Sequence, residues 1–317
     1  MRNKLTMLFV ILTILSCEKM ELPVKAHTTG SSTTNQVAMG QDYRNQLFFD
    51  LETNQIVSTN LKTEWDLGFE SSGTNNVILN TSKGMAIHKS DSTFENITST
   101  AGLDWSWDAH SGNLDSTAFG EWETEQKLYI IDLGYDHLGG HQGYKKLLIS
   151  SADVSGYSIQ YGDITAMLPL SQVIFRDIDN VFSFFSFSTG SVSIAPPNID
   201  WDIEFTQYTH LFTGPLTPYV VSGVLLNRFE TLAGLITNIP YDDVTFDDAE
   251  AVQLTNTINT IGYAWKAFDF GTGLYAVNPD LIYILQTSEG FYYKLHFIDF
   301  YNSLGEKGHP TFEFQQL

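Results

Sequence analysis

The chain carries one cysteine in 317 residues, so it cannot close a disulfide within itself and a disulfide-stapled fold is excluded. Positive charge is scarce. Its 16 Lys and Arg stand against 37 Asp and Glu, a formal charge of −21, which excludes the basic footprint of a nucleic-acid binder. Charged residues are only 17% and aromatic residues 14%, so disordered and coiled-coil readings fail. Enzyme signatures are missing too: there is no H-E-x-x-H, G-x-S-x-G, G-x-x-x-x-G-K-[ST] or helix-opening G-x-G-x-x-G. Carboxylates are plentiful, but nothing singles out a pair at the separation a glycosidase needs. A binding protein is expected, not an enzyme.

Long apolar runs are absent except for one, Leu5–Leu15, which follows Arg2 and Lys4 and ends at Ser16-Cys17. It is too short to span a bilayer comfortably and reads as a secretory leader. ILSC resembles the bacterial lipobox, in which cleavage makes the cysteine the first residue and its thiol is lipidated. Cys17 is therefore expected to be an anchor and not a nucleophile. The residues after it, Glu18-Lys19, contain no aspartate, and by the same resemblance this points to the outer membrane. Residues 1–17 are read as the signal peptide and 18–40 as a polar tether. Loss of Arg2 and Lys4 with the leader takes the charge to −23.

What the rest of the chain does have is short stretches of alternating apolar and polar residues, such as VILNTSK, KLYIIDL, YSIQY and YKLHFIDF, separated by turn residues. That is period-two strand patterning, so the fold is expected to be all-β. One short helix is expected, at Glu230–Ile236. The chain also matches itself. WDLGF at Trp65–Phe69 recurs as WDIEF at Trp201–Phe205, and both are followed by Phe-Glu-x-Ile/Leu, a Gly/Trp element, a hydrophobic triplet and a lysine strand. Ordered landmarks of this kind indicate two related β units, placed at 41–168 and 169–317. The repeated Trp is expected to fill core while its Asp bonds to backbone. The segment Asp163–Asp179 is read as the junction, with MLPLSQVIF as a possible linking strand, and the acidic run Tyr241–Glu250 as a solvated loop, since it lacks an EF-hand register.

Histidine is where ligand chemistry can reside. His137 and His141 share the glycine-rich loop DHLGGHQG, a spacing that can hold a metal and equally suits an ordinary hairpin loop. His88 with Met85 in GMAIHKS, His110 in WSWDAHSG, and His210 past Phe205 are further candidates for an axial ligand. No other metal site is expected.

Taken together, the lipoprotein leader, WDIEF, GYAWKAFD at Gly262–Asp269, IYILQTSEGFYYKLHFIDFYN and the terminal GHPTFEFQQL resemble the HmuY family of bacterial surface lipoproteins. The resemblance is clearest over Trp201–Leu317. It implies an antiparallel, β-sandwich-like fold, a lipid anchor in the outer membrane exposed at the cell surface, haem as ligand, and an outer-membrane haem transporter as partner. Family members hold iron with two histidines or two methionines. Here the stretch from Trp201 to Lys294 contains only His210 and no methionine, so a pair is to be completed across the copies or from the first half alone, where Met85, His88, His110, His137, His141 and Met167 lie, with tyrosine, Tyr208 or Tyr219 beside His210, as another possible iron ligand. A competing reading is a structural or adhesive surface module that binds protein or glycan without haem, with Trp105 and Trp107 as an aromatic platform.

Overall fold

A computed structural model describes residues 29–317. The expected leader, Cys17 and residues 18–28 of the expected tether lie outside them; the rest of that tether, residues 29–40, holds the strand Thr33–Gln36 and the core residues Val37 and Met39. Four larger sheets build two sandwiches, and every ladder in them is antiparallel. The expectation of an all-β fold holds.

In one sandwich the outer sheet runs Thr33–Gln36, Lys307–Gln316, Tyr292–Tyr301, Ile282–Gln286, Leu232–Ile236. Its inner sheet runs Thr217–Leu226, Ile203–Phe212, Asn45–Asp50, Gln55–Leu61. In the other, Leu170–Phe175, Gly156–Asp163, Tyr144–Ala152, Leu128–Asp132 and Ala86–Ser90 form the outer sheet. The inner sheet there is Gly190–Val192, Phe182–Ser186, Leu67–Glu70, Val77–Leu79. The segment read as a possible linking strand is thus a strand, paired to Gly156–Asp163.

Strand alternation decides which side chains meet which layer. Leu47, Phe49, Ile203 and Phe205 point into a core shared with Leu285, Tyr293, Phe297, Phe312 and Phe314. Their neighbours Gln46, Phe48, Glu204 and Thr206 point the other way, into a cavity between the two inner sheets. Leu67, Phe69 and Phe185 do the same for the second core, and Phe182 and Phe184 for the cavity. Burial on both faces explains why NQLFFD and FSFFS read as continuous apolar runs. Edge-to-face pairs such as Phe49 with Phe312, centroids 5.3 Å apart, add about 0.5–1.5 kcal/mol each to the area they bury.

The sandwiches are interlocked by exchange. The strand after Trp201-Asp202 pairs with the N-terminal hairpin, Ile203 opposite Phe49 and Phe205 opposite Leu47. Conversely the strand after Trp65-Asp66 pairs with Phe182–Ser186, the hairpin that precedes the second Trp-Asp. Both aspartates fasten this crossing. Asp202 N–H donates to Phe49 O (2.9 Å) while Oδ2 accepts from Leu51 N–H (2.8 Å). Asp66 N–H donates to Phe185 O (2.8 Å), Oδ2 accepts from Phe187 N–H (2.7 Å), and Oδ1 pairs with buried Lys83. Two asparagines bridge the entering chains: Asn80 to the carbonyls of Lys62 and Trp65, and Asn227 to those of Asn198 and Trp201. The lysine strands match as well, Lys146 donating to the carbonyls of Phe94, Ile97 and Ala166, and Lys294 to those of Tyr241 and Val244.

Three expectations are corrected. Glu230–Ile236 is not a helix: Leu232–Ile236 is a strand paired with Ile282–Gln286. Seven residues are too few to nucleate a helix alone, and a Cβ at Gly234 would lie 2.2 Å from Val252 Cγ1, so glycine is needed for the close approach there. The two tryptophans belong to neither sandwich core. They edge the cavity, Trp65 against Phe184 and Trp201 against Phe48, each pair with centroids 4.9 Å apart. The acidic run is ordered: Phe246–Ala251 is a short helix with a Thr245/Asp248 capping box.

Two outcomes follow from this exchange. Residues 29–168 expressed alone should lack native tertiary structure, because Leu67–Glu70 keeps Val77–Leu79 but is deprived of its other partner strand, Phe182–Ser186, and should regain it when mixed with 169–317; circular dichroism of the separate and mixed fragments checks this. Lys83→Ala removes the counter-charge of the buried Asp66 carboxylate and should cost about 3–5 kcal/mol in urea unfolding.

Candidate functional site

Two of the expected ligands meet. His210 stands near the end of the strand Ile203–Phe212, opposite Tyr219 in the ladder. His110 comes from the loop after Trp107, and the two rings lie with centroids 4.2 Å apart, tilted by 43°. The sites are a hundred residues apart in sequence and come from different halves of the chain.

The loop is brought to His210 by specific contacts. Asp108 is buried, and its carboxylate accepts from the backbone N–H groups of Leu79 and Ala118, both at 2.7 Å. Gly112 takes φ +73°, and a Cβ there would lie 2.6 Å from Ile258. Only glycine permits both that conformation and that approach. Ile258 N–H then donates to Ser111 O (3.1 Å), and Arg228 Nη1 donates to Gly112 O. His110 is thereby fixed on both sides.

Both imidazoles are half-buried, and desolvation holds both below the ordinary value; His110 depresses His210 further. Near neutral pH they are uncharged, the form whose lone pair ligates a metal. His110 Nδ1 accepts a long 3.4 Å hydrogen bond from Leu211 N–H, while His210 Nδ1 is enclosed without a partner. Phe212 packs edge-on against His210 at 4.6 Å and Tyr263 at 5.1 Å. Phe212, Leu216 and Tyr219 are exposed at 41%, 61% and 62%, so an apolar ridge adjoins the pair.

The remaining candidates lie apart from it. His88 is on the strand Ala86–Ser90, with Nδ1 2.9 Å from Asp104 O. His141 Nε2 contacts Asp132 Oδ1 at 2.8 Å, and His137 Nε2 is 4.0 Å from Asp42 Oδ2. Each histidine of that loop thus faces its own carboxylate. Met85 is 1% exposed and lies in a sandwich core. Trp105 and Trp107 are half-buried, Trp105 stacked on Tyr144 at 5.9 Å, and they form no open platform. Tyr263 and the Gly112–Ile258 contact had no sequence signal, since nothing in TINTIGYAW marks it as a neighbour of WDAHSG.

Behind the histidine loop lies the cavity between the inner sheets, about 140 Å³, with Arg228, Glu204 and Asp108 on its wall. Drug-sized ligands occupy roughly 300–1,000 Å³, so it cannot enclose a macrocycle. Burial pushes Asp108 up to about 6 against its two backbone donors, and Glu204 up to about 7. Gln46 donates to Glu204 at 2.9 Å.

The fold is an all-β double sandwich, and its site is a pair of imidazoles from the two halves of the chain. The HmuY protein family model matches residues 42–314. The chain belongs to the HmuY family. Solved structures similar to it include apo PinO from Porphyromonas gingivitis, at 8% identity, covering 90% of this chain and 97% of that one with a TM-score of 0.32. The apo HmuY analogue of Tannerella forsythia matches at 10% identity over 92% and 98% of the chains, TM-score 0.27. A Bacteroides vulgatus protein described provisionally as HmuY-like and haem-binding matches at 11% over 89% and 90%, TM-score 0.24. Membership rests on the family model. No curated protein sequence matches the chain.

A raised carboxyl stabilises the fold most below its ordinary range and loses that contribution as pH rises through its folded value. For Glu204 the loss therefore falls between about 4.5 and about 7. Glu204→Gln, which keeps the side chain's shape, should flatten the fall of urea midpoint between pH 5 and 8 and exceed the wild type at pH 8.

Proposed function

We propose that the chain is a non-enzymatic, lipid-anchored ligand-capture protein of the outer membrane, that its ligand is haem, and that His110 and His210 hold the iron. The observation that carries this reading is the contact between two neutral imidazoles supplied by opposite halves of the chain beside an exposed aromatic ridge. Imidazole suits iron, and the unpartnered Nδ1 of His210 marks a ring whose hydrogen bonding is incomplete without a further group. At 4.2 Å the rings touch, so a macrocycle ligated on both faces requires them to part. Rotation of the His110 side chain, released from its long bond to Leu211, achieves this while Asp108 keeps the base of the loop in place. Phe212 and Tyr219 then offer flat apolar area to the porphyrin.

Family membership and the HmuY-like relative support haem as the ligand class, and ILSC at Ile14–Cys17 supports the anchor. No helix among the described residues is long and apolar enough to cross a membrane. Delivery of haem to an outer-membrane transporter completes the proposed role.

Titration of the purified protein with ferric haem should give a saturable Soret band distinct from free haem. His210→Ala and His110→Ala should each weaken binding at least tenfold and shift the band, whereas His88→Ala, His137→Ala and His141→Ala should leave both unchanged. An unshifted spectrum at saturating haem sinks the ligand assignment; an altered one that survives both His110→Ala and His210→Ala sinks the site.

A further inference from the structure

The aspartate that fastens the N-terminal hairpin is also one wall of an acidic cluster. Asp50 and Glu52 follow the strand Asn45–Asp50 at its turn, and Asp202 lies against that turn. One carboxylate oxygen from each of the three lies within 4.8 Å of the others. None of the three is ion-paired with a basic side chain among the described residues. Three acids are gathered without a counter-charge.

A separate observation points into the same place. Thr287, at the end of the strand Ile282–Gln286 in the facing sheet, is only 5% exposed, and its Oγ1 has no hydrogen-bond partner. It faces Glu52 closely enough to favour the charged carboxylate. A buried hydroxyl left unsatisfied costs about 1–3 kcal/mol, and native interiors leave few such groups. The negative charge of Glu52, Asp202 and Asp50 is also felt by the Tyr293 hydroxyl, which burial first and those acids next push up.

We infer that Asp50, Glu52, Asp202 and the Thr287 hydroxyl form a binding site for a single hard divalent cation of calcium size. All donors are oxygen, the set preferred by calcium and magnesium over transition metals. Ligand number separates the two: calcium takes six to eight oxygens in flexible geometry, which three carboxylates, a hydroxyl and waters can supply, whereas magnesium demands near-ideal octahedral geometry and is usually held by only one or two carboxylates. The ion would tie the hairpin turn, the second Trp-Asp strand and the outer sheet together at the point where the exchanged hairpin enters. The site is separate from the histidine pair, so its failure leaves the haem reading standing.

The test is titration of the EDTA-stripped, purified protein with CaCl2 by calorimetry and thermal unfolding at pH 7.5. One ion should bind per chain, with a rise in Tm of about 5 °C at a hundredfold excess over Kd. Glu52→Gln, at an exposed position, and the near-isosteric Thr287→Val should each weaken binding at least tenfold while remaining folded by circular dichroism. MgCl2 should act only at much higher concentration. No heat and no Tm shift up to about 10 mM CaCl2 overturns the site, since weak extracellular sites bind by then. Equal affinity in Glu52→Gln, or an equal response to magnesium, overturns the assignment as well.

Discussion

Two buried aspartates hold the architecture, because each connects a strand to a hairpin supplied from the other half of the sequence. Asp202 reaches Phe49 O and Leu51 N–H, and Asp66 reaches Phe185 O and Phe187 N–H. Without these bonds the ends of the exchanged hairpins would carry unpaired backbone groups between two apolar layers, at about 1–3 kcal/mol apiece. With them, neither sandwich can be completed from a continuous stretch of chain. The interlocking makes the relation between halves rigid, which matters because His110 and His210 belong to different halves.

The same constraint accounts for the histidine contact. His210 is set by the ladder of Ile203–Phe212, and that strand is set by the N-terminal hairpin beside it. His110 is set by Asp108, which reaches Leu79 on the other inner sheet, and by Gly112 against Ile258. Arg228 joins the two by donating across to Gly112 O. Its guanidinium, half-buried and held below the usual arginine value by desolvation, also lies 5.7 Å from the Phe182 ring. Charged groups at this interface cost desolvation, and their contribution is register: they fix which loop of one sandwich faces which strand of the other.

Much of the fold was legible in the sequence, and the reason is local. Period-two alternation declares strands, and WDLGF and WDIEF declare matched ones. The repeated Asp was rightly read as bonding to backbone, and the lysine strands proved alike in using buried lysines on turn carbonyls. The exchange of hairpins was not legible, because NQLFFD and FSFFS are apolar on both faces and nothing in either specifies its partner. Trp65 and Trp201 were misplaced into the cores for a related reason: a strand buried on both sides offers two places for a large ring. Glu230–Ile236 was misread because its apolar spacing fits either period over so short a run, and its neighbour Ile282–Gln286 decided the matter. Among the ligand candidates, sequence supplied His110 and His210 in a longer set; only tertiary placement separates them from His88, the His137 and His141 loop, and core-bound Met85.

Where the two halves differ is where chemistry is left available. Asp66 has Lys83 as counter-charge and is thereby complete. Asp202, its counterpart, has the Thr231 hydroxyl at 3.0 Å instead, and meets Asp50 and Glu52 with no basic side chain ion-paired to any of the three among the described residues. One position in the scaffold has thus been satisfied by an internal lysine and the other left with excess negative charge. The excess must be met by protons or by an ion. In the same way the strand after Asp66 ends at Glu70, whereas the strand after Asp202 continues to His210 and Phe212. Its extra length carries an imidazole beyond the cavity to an open apolar edge. Shared geometry in the scaffold and divergence at its ends are what place the His110 and His210 rings at an open apolar edge of the double sandwich.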